Sequence, residues 1–97
     1  MNLQAPLVIK EFKPFTKNTL RGFVTIRFPK SGLEIRDICL HEKNGKRWLS
    51  MPAKPYQKND GTKGWCIVVD FFDKQIGKKF QQIALRTIDT YRKGDGR

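Results

Sequence analysis

The stretch WCIVVDFFDKQIGKKFQQIALRTIDTYR, residues 65–92, decides the fold because its hydrophobic period changes partway along. Its first eight residues, 65–72, are nearly all apolar, which is typical of a central or well-covered β-strand. After them the apolar side chains recur at steps of three and four, which predicts one amphipathic helix over 74–92. Asp73 is suited to cap the start of this helix, and Gly94 is expected to end it.

Upstream of this stretch, alternating apolar segments separated by turn residues predict a series of antiparallel strands. The predicted strands span residues 7–15, 20–28, 33–42 and 47–51, and a basic loop spans 52–63. Asn44-Gly45 is a strong signal for a hairpin between the last two strands. Pro14 favours an edge position for the first strand. In 33–42 the apolar parity switches, which indicates either a bulge near Arg36–Asp37 or a strand covered on both faces.

Strands followed by one helix indicate the α+β class: an antiparallel β-meander of four to five strands with one C-terminal amphipathic helix. We expect a single domain over residues 1–97, with 94–97 as a flexible tail. The helix is the only candidate to cover the inner face of the sheet. The other face is then open to solvent, a partner or a ligand.

Charge is the strongest functional signal in the composition. Twenty lysines and arginines face nine acidic residues, for a net charge of +11. Such a field favours polyanions, above all nucleic acid, although a basic surface that is merely solvated is the alternative. We expect the surplus cations to gather on one accessible side. The cations of the helix are interpreted as its solvated face, whereas those of the loop alternate with an aromatic residue and suggest phosphate contacts.

Trp48 and Trp65 bracket the basic loop, and two interpretations fit them. Either they pair across adjacent strands and pack, or one of them stacks on a base. The position of Trp48 in the strand alternation predicts that it is exposed, and that of Trp65 predicts a core position. We expect Trp48 to offer a flat stacking surface, Tyr56 to close over it and Phe23 to extend it. The predicted nucleic-acid-binding residues are Arg21, Phe23, Arg27, Lys46, Arg47, Trp48, Lys54, Tyr56, Lys58 and Lys63.

Signals for catalysis are weak. His41 stands beside Glu42, and consecutive strand residues point to opposite faces, so a structural or solvent-exposed histidine is expected. No pair of carboxylates, nucleophile motif or phosphate-binding glycine loop is evident, so the sequence predicts a protein that is not an enzyme and has no metal, cofactor or small-molecule substrate. Cys39 and Cys66 lie in apolar runs and are expected to be buried free thiols. Without a signal peptide or membrane span in the sequence, we expect a cytoplasmic protein.

From residue 35 onward the chain resembles the SpoVG family of bacterial regulators. The resemblance is carried by IRDICLHEKNGKRWLSMPAKPYQKNDGTKGW, residues 35–65, in which a Met51-Pro52 step precedes Lys54. It implies a small, dimeric, cytoplasmic, DNA-binding protein built as a sheet followed by a helix. The chain departs from the family where Phe72-Asp73 replaces a proline-containing helix start. The plan of a meander and a helix is also similar to the single-stranded DNA binders of the positive-cofactor-four type.

These observations predict a small basic nucleic-acid-binding protein that acts as a homodimeric, SpoVG-like regulator or coactivator. DNA is favoured over RNA, and the stackable aromatics favour single strands. The alternative is a protein–protein adaptor whose basic surface binds an acidic partner. Raising the salt concentration separates the two, because binding to phosphates weakens steeply with ionic strength, whereas binding through an apolar adaptor interface should not.

Overall fold

A computed structural model describes residues 6–95 of the protein, with side chains as far as residue 93. Four antiparallel strands form a meander in chain order, a separate two-stranded hairpin follows, and one helix ends the fold, so the predicted α+β class is confirmed. The elements are β1 (Val8–Lys17), β2 (Leu20–Phe28), β3 (Leu33–Lys43), β4 (Lys46–Ser50), β5 (Ala53–Gln57), β6 (Lys63–Ile67) and α1 (Lys74–Asp95).

Turn chemistry explains the connections of the meander. Asn44 and Gly45 have φ angles of +53° and +80°, as the two central residues of a tight hairpin between twisted strands require. The hairpin predicted there is confirmed, and it pairs Lys43 with Lys46.

The predicted bulge in β3 is also confirmed. Val24 pairs with Ile38, but Ile26 pairs with Ile35, so β3 has one more residue than β2 between these two pairs. Asp37 adopts a positive φ of +61° inside this irregularity. The single extra residue shifts the alternation by one position, and Ile35 and Ile38 therefore both face the core, where they are buried.

The core lies between one face of the sheet and α1. Its sheet side includes the buried Val24, Ile26, Ile38 and Leu40, and its helix side consists of Phe80, Ala84 and Ile88. The helix residues recur at steps of four, which is the spacing of one helix face. The Asp73 carboxylate accepts hydrogen bonds from the amides of Gln75 and Ile76 (2.9 and 3.2 Å), which confirms the predicted N-cap.

Polar contacts hold α1 to both edges of the sheet. On β4, the Gln81 amide accepts a hydrogen bond from the Leu49 N–H and donates one to the Leu49 carbonyl (2.9 and 2.8 Å). On β1, the Arg92 guanidinium lies 4.4 Å from the centroid of the Phe12 ring. Within the described chain β4 is an edge strand, and the Gln81 side chain supplies the hydrogen-bond partners that Leu49 would otherwise lack there.

The expectations for residues 52–72 were wrong. The predicted loop contains β5, which pairs with β6, so the apolar stretch ends its strand at Ile67 and does not join the sheet. We call this β5–β6 hairpin the arm. Trp65, predicted to be in the core, is 71% exposed, and Phe72 is fully exposed. The hydrophobic periodicity of this stretch indicated a strand, but it does not indicate which other strand that strand pairs with.

Three smaller expectations are corrected as well. Cys66 is exposed because it lies on the arm, which no other element of the described chain covers. Cys39 is only half-buried because its side chain lies on the face of the sheet that is opposite α1. The two tryptophans do not pair, since Trp48 lies opposite His41 and Trp65 opposite Pro55. The helix continues through Gly94 to Asp95, and the rest of the predicted tail, 96–97, lies outside the described residues.

Across residues 6–95, α1 is the only helix, and it lacks the apolar length needed to cross a bilayer.

Candidate nucleic-acid interface

The side of the four-stranded sheet opposite α1 is called here the outer face. The strand register arranges it in rows that run across the strands. From one end to the other, the rows contain Arg27 with Glu34, then Lys13, Phe23, Cys39 and Ser50, then His41 with Trp48, and finally Lys43 with Lys46. Aromatic rings therefore lie between cations at both ends of this face.

Trp48 is the best-defined flat group on the outer face. Its ring is stacked on the His41 ring, with centroids 5.3 Å apart and an angle of 11° between the planes. The Trp48 side chain is nevertheless 38% exposed, as its parity predicted. An indole held flat against one neighbour and open to solvent elsewhere is a suitable surface for a nucleobase.

Hydrogen bonds on both ring nitrogens hold the His41 ring in place. Nδ1 lies 3.0 Å from the Thr19 hydroxyl and Nε2 lies 3.0 Å from the Ser50 hydroxyl. Burial lowers the pKa of His41, so the imidazole is neutral at neutral pH. The histidine is structural. The sequence analysis did not predict its contact with Trp48, although a two-residue turn at Asn44-Gly45 places residue 41 opposite residue 48.

Phe23 is less open than Trp48. It is half-buried, and its ring lies 5.8 Å from the Phe15 ring. Strand β3 lies between Phe23 and Trp48, so the two aromatics share the outer face without touching.

Cations at the far end of the outer face share one carboxylate. Glu34 accepts hydrogen bonds from Arg27 (2.7 Å) and Arg36 (2.8 Å), and the Lys10 ammonium lies 3.9 Å away. The hydrogen bond from Arg27 is the main cause of the lowered pKa of Glu34. Three cations on one carboxylate leave surplus positive charge at this end. Lys43 and Lys46, both exposed, supply charge at the other end.

Two predicted site residues are engaged elsewhere. Arg47 alternates with Trp48 and therefore points to the helix side, where its guanidinium donates two hydrogen bonds to the Asp89 carboxylate (2.6 and 2.8 Å). Arg21 donates to the backbone carbonyls of Asn18 (2.7 Å) and Leu20 (3.0 Å) in the β1–β2 turn. Their expected roles as free phosphate contacts are not supported by these partners.

The remaining predicted residues, Lys54, Tyr56, Lys58 and Lys63, lie on the arm or its tip and are exposed. Lys54 and Tyr56 are two residues apart in β5 and therefore share one face of the arm. The Tyr56 ring lies across Gly64, where an added Cβ would stand 2.8 Å from the ring, and it does not close over Trp48.

The arm stands apart from the rest of the fold. Within the described residues, no Cα of its strands lies within 8 Å of a Cα of another helix or strand. The ten predicted residues are therefore found in four places: the outer face, the β1–β2 turn, the helix side of β4 and the arm. One chain alone does not gather the cations on a single side.

Comparisons with protein-family models, with curated proteins and with solved structures found no match. The likeness to the SpoVG family stays a resemblance carried by residues 35–65, and the likeness to positive-cofactor-four-type binders rests on the order of strands and helix alone.

Proposed function

We propose that the protein binds DNA through phosphate contacts and stacks an unpaired base on Trp48, acting as a homodimeric regulator or coactivator of SpoVG-like type. The observation that carries this proposal is the Trp48 indole, which is held flat against His41 on a sheet face that no helix of the described chain covers. Stacking on an exposed aromatic ring stabilises bound single strands by about 1–3 kcal/mol per base.

Charge supports the same surface. A single strand of DNA that lies across the outer face would meet Lys43 and Lys46, then Trp48, and at the far end Arg27 with Arg36. Each phosphate that a cation neutralises releases counterions, and this release favours binding most at low salt. The net charge of +11 adds a general attraction that increases the association rate.

Single strands fit this site better than duplex DNA. In a duplex the bases are stacked on one another, so a ring such as Trp48 can contact a base only after it is unpaired. Within residues 6–95 the outer face presents no helix that could enter a major groove, because α1 packs against the other side of the sheet.

Competition measurements test the proposal. A labelled single-stranded oligonucleotide is bound to the full chain and displaced with unlabelled single-stranded or duplex DNA of the same sequence, at several salt concentrations. We expect the single strand to displace better and the affinity to fall linearly with the logarithm of the salt concentration. Absence of binding at low salt would contradict the proposal. Salt-insensitive binding, combined with capture of acidic proteins, would instead favour the adaptor.

A further inference from the structure

Two arginines at one end of the outer face are held by the same carboxylate. The Nε of Arg27 donates to Oε1 of Glu34 (2.7 Å), and the Nε of Arg36 donates to Oε2 (2.8 Å). The Glu34 side chain is 18% exposed, whereas those of Arg27 and Arg36 are 53% and 76% exposed. The less exposed carboxylate therefore orients two guanidinium groups that stay open to solvent.

The contact with Glu34 uses only one nitrogen of each guanidinium group. Among residues 6–95, Nη1 and Nη2 of Arg27 and Arg36 have no hydrogen-bond partner. Each arginine therefore keeps two NH₂ groups for a ligand, and a guanidinium group binds phosphate well because it can donate two parallel hydrogen bonds. Since Glu34 already positions both side chains, less conformational entropy is lost when a ligand binds.

The charge of this cluster matches a phosphomonoester. The Lys10 ammonium lies 3.9 Å from Glu34, so three cations surround one carboxylate and leave two positive charges. A phosphodiester of the DNA backbone has one negative charge, whereas a phosphomonoester has about two at neutral pH and offers three acceptor oxygens. Glu11 lies on the same face opposite Thr25, but it forms no ion pair with these cations in the described chain.

An apolar recess of about 360 Å³ adjoins the cluster at the end of the sheet. Arg27 and Glu34 line it together with Val8, Pro29 and Leu33. Val8 and Leu33 are both exposed. The volume lies at the lower end of the range of about 300–1,000 Å³ that is usual for sites of small molecules, so it suits a single nucleoside. A recess of this kind beside phosphate-binding groups is what recognition of one nucleotide requires.

We propose that the Arg27–Glu34–Arg36 cluster and the adjoining recess bind a nucleotide that carries a phosphomonoester, and that this nucleotide is the phosphorylated end of a DNA strand. The two guanidinium groups and the Lys10 ammonium bind the phosphate, and the base or sugar of the end nucleotide lies in the recess. The assignment to a strand end rests on the proposed function. A free mononucleotide presents the same chemistry, and the experiments below distinguish the two sources.

This site gives the bound strand a fixed end. The cluster and the stacking surface lie on the same face, and along β3 the path from Glu34 to His41, which lies opposite Trp48, is roughly 20 Å at about 3.3 Å per residue. A strand held at its end by the cluster reaches Trp48 only if it spans this distance. End recognition and stacking on Trp48 therefore act together only on oligonucleotides above a minimum length.

Competition with a labelled single strand tests the preference for a phosphorylated end. Unlabelled oligonucleotides of one sequence carry a 5′-phosphate, a 3′-phosphate or no terminal phosphate, and a hydroxyl-ended strand that is one nucleotide longer controls for the added charge. We expect one of the phosphorylated strands to compete about tenfold better than the hydroxyl-ended strands. Equal competition by all four strands would overturn the proposal even if the protein binds DNA.

Two variants separate the cluster from general electrostatic attraction. Arg27→Lys with Arg36→Lys keeps every charge but removes the guanidinium groups, so it should abolish the preference while hydroxyl-ended strands still bind. Lys13→Gln removes a cation of the outer face that lies outside the cluster, so it should weaken the binding of all strands alike and keep the preference. The same preference in both variants would contradict the proposal.

Nucleoside 5′- and 3′-monophosphates probe the cluster without relying on DNA binding. In NMR spectra one of them should shift the Nε–H signals of Arg27 and Arg36, whereas the nucleoside without phosphate should not. Shifts in a protein that binds no DNA would support the nucleotide site and reject the proposed function. A mononucleotide that binds as tightly as the phosphorylated strand would overturn the assignment to strand ends. DNA binding with neither shifts nor end preference would reject the site alone.

Discussion

The imidazole of His41 and the indole of Trp48 lie nearly parallel, 5.3 Å apart, across the hairpin of β3 and β4. Two hydroxyl groups, of Thr19 and Ser50, orient the imidazole from its two nitrogens. The flat group of the candidate interface is thus positioned by a neighbouring ring on the next strand, and the first two predictions concern this pair.

Replacing Trp48 by alanine should weaken single-stranded DNA binding by about 1–3 kcal/mol, because the stacking surface is lost. Fluorescence anisotropy with a labelled oligonucleotide measures the change. Trp48→Tyr keeps a flat ring and should retain much of the affinity. Phe72→Ala is the matched control, since Phe72 is fully exposed but outside the outer face. Normal binding by Trp48→Ala, together with a lower melting temperature, would show that Trp48 only packs.

The folded protein should become less stable as the pH falls below about 6.5. Burial lowers the pKa of His41 below the ordinary value for histidine, about 6.5, so the unfolded chain takes up a proton first as the pH falls. The stabilisation is therefore complete above the unfolded pKa and is lost as the pH falls towards the folded pKa. Thermal melts between about pH 8 and 5 measure it. His41 is the single histidine, so His41→Asn should flatten this dependence. An unchanged pH profile in His41→Asn would contradict the assignment.

Arg47 and Lys46 are neighbours in sequence but should behave differently. Arg47→Ala breaks the ion pair with Asp89 and should lower stability by about 0.2–1 kcal/mol, a small effect because solvent screens the half-exposed carboxylate. It should leave the salt dependence of DNA binding unchanged. Lys46→Ala should leave stability unchanged and reduce the salt slope by about one phosphate contact. The reverse pattern would show that Arg47 leaves Asp89 to bind DNA.

Gly22→Ala should destabilise the protein by about 1–3 kcal/mol, the usual cost of overpacking. A Cβ at this position would lie 2.5 Å from the Phe12 ring and 2.8 Å from the Lys13 carbonyl oxygen. The backbone oxygen cannot move without disturbing the β1–β2 pairing. Gly64→Ala is the matched control, because its Cβ would meet only the movable ring of Tyr56 on the exposed arm. Chemical denaturation compares the two variants, and equal losses would contradict this explanation.

Local signals in the sequence predicted the local structure well. Three local features were predicted: the Asn44-Gly45 turn, the parity switch near Asp37 and the cap at Asp73. Each of them depends only on residues a few positions apart in the sequence. The exposure of Trp48 followed from strand alternation in the same way. The interaction of Arg47 with Asp89 could not be predicted, since it joins residues 42 positions apart that meet only when the helix packs on the sheet.

By itself, the sequence determined the strands of the meander, the amphipathic helix and the strongly basic character of the chain, because period and composition act over short distances. Only the tertiary structure decided that β6 pairs with β5 and that Trp65 stands in solvent. Periodicity shows that a strand has an apolar face, but the partner that covers that face depends on which edges are free after the chain has folded. At the arm, no other helix or strand of the described chain lies close enough to cover the apolar side chains of β6, and these side chains stay exposed.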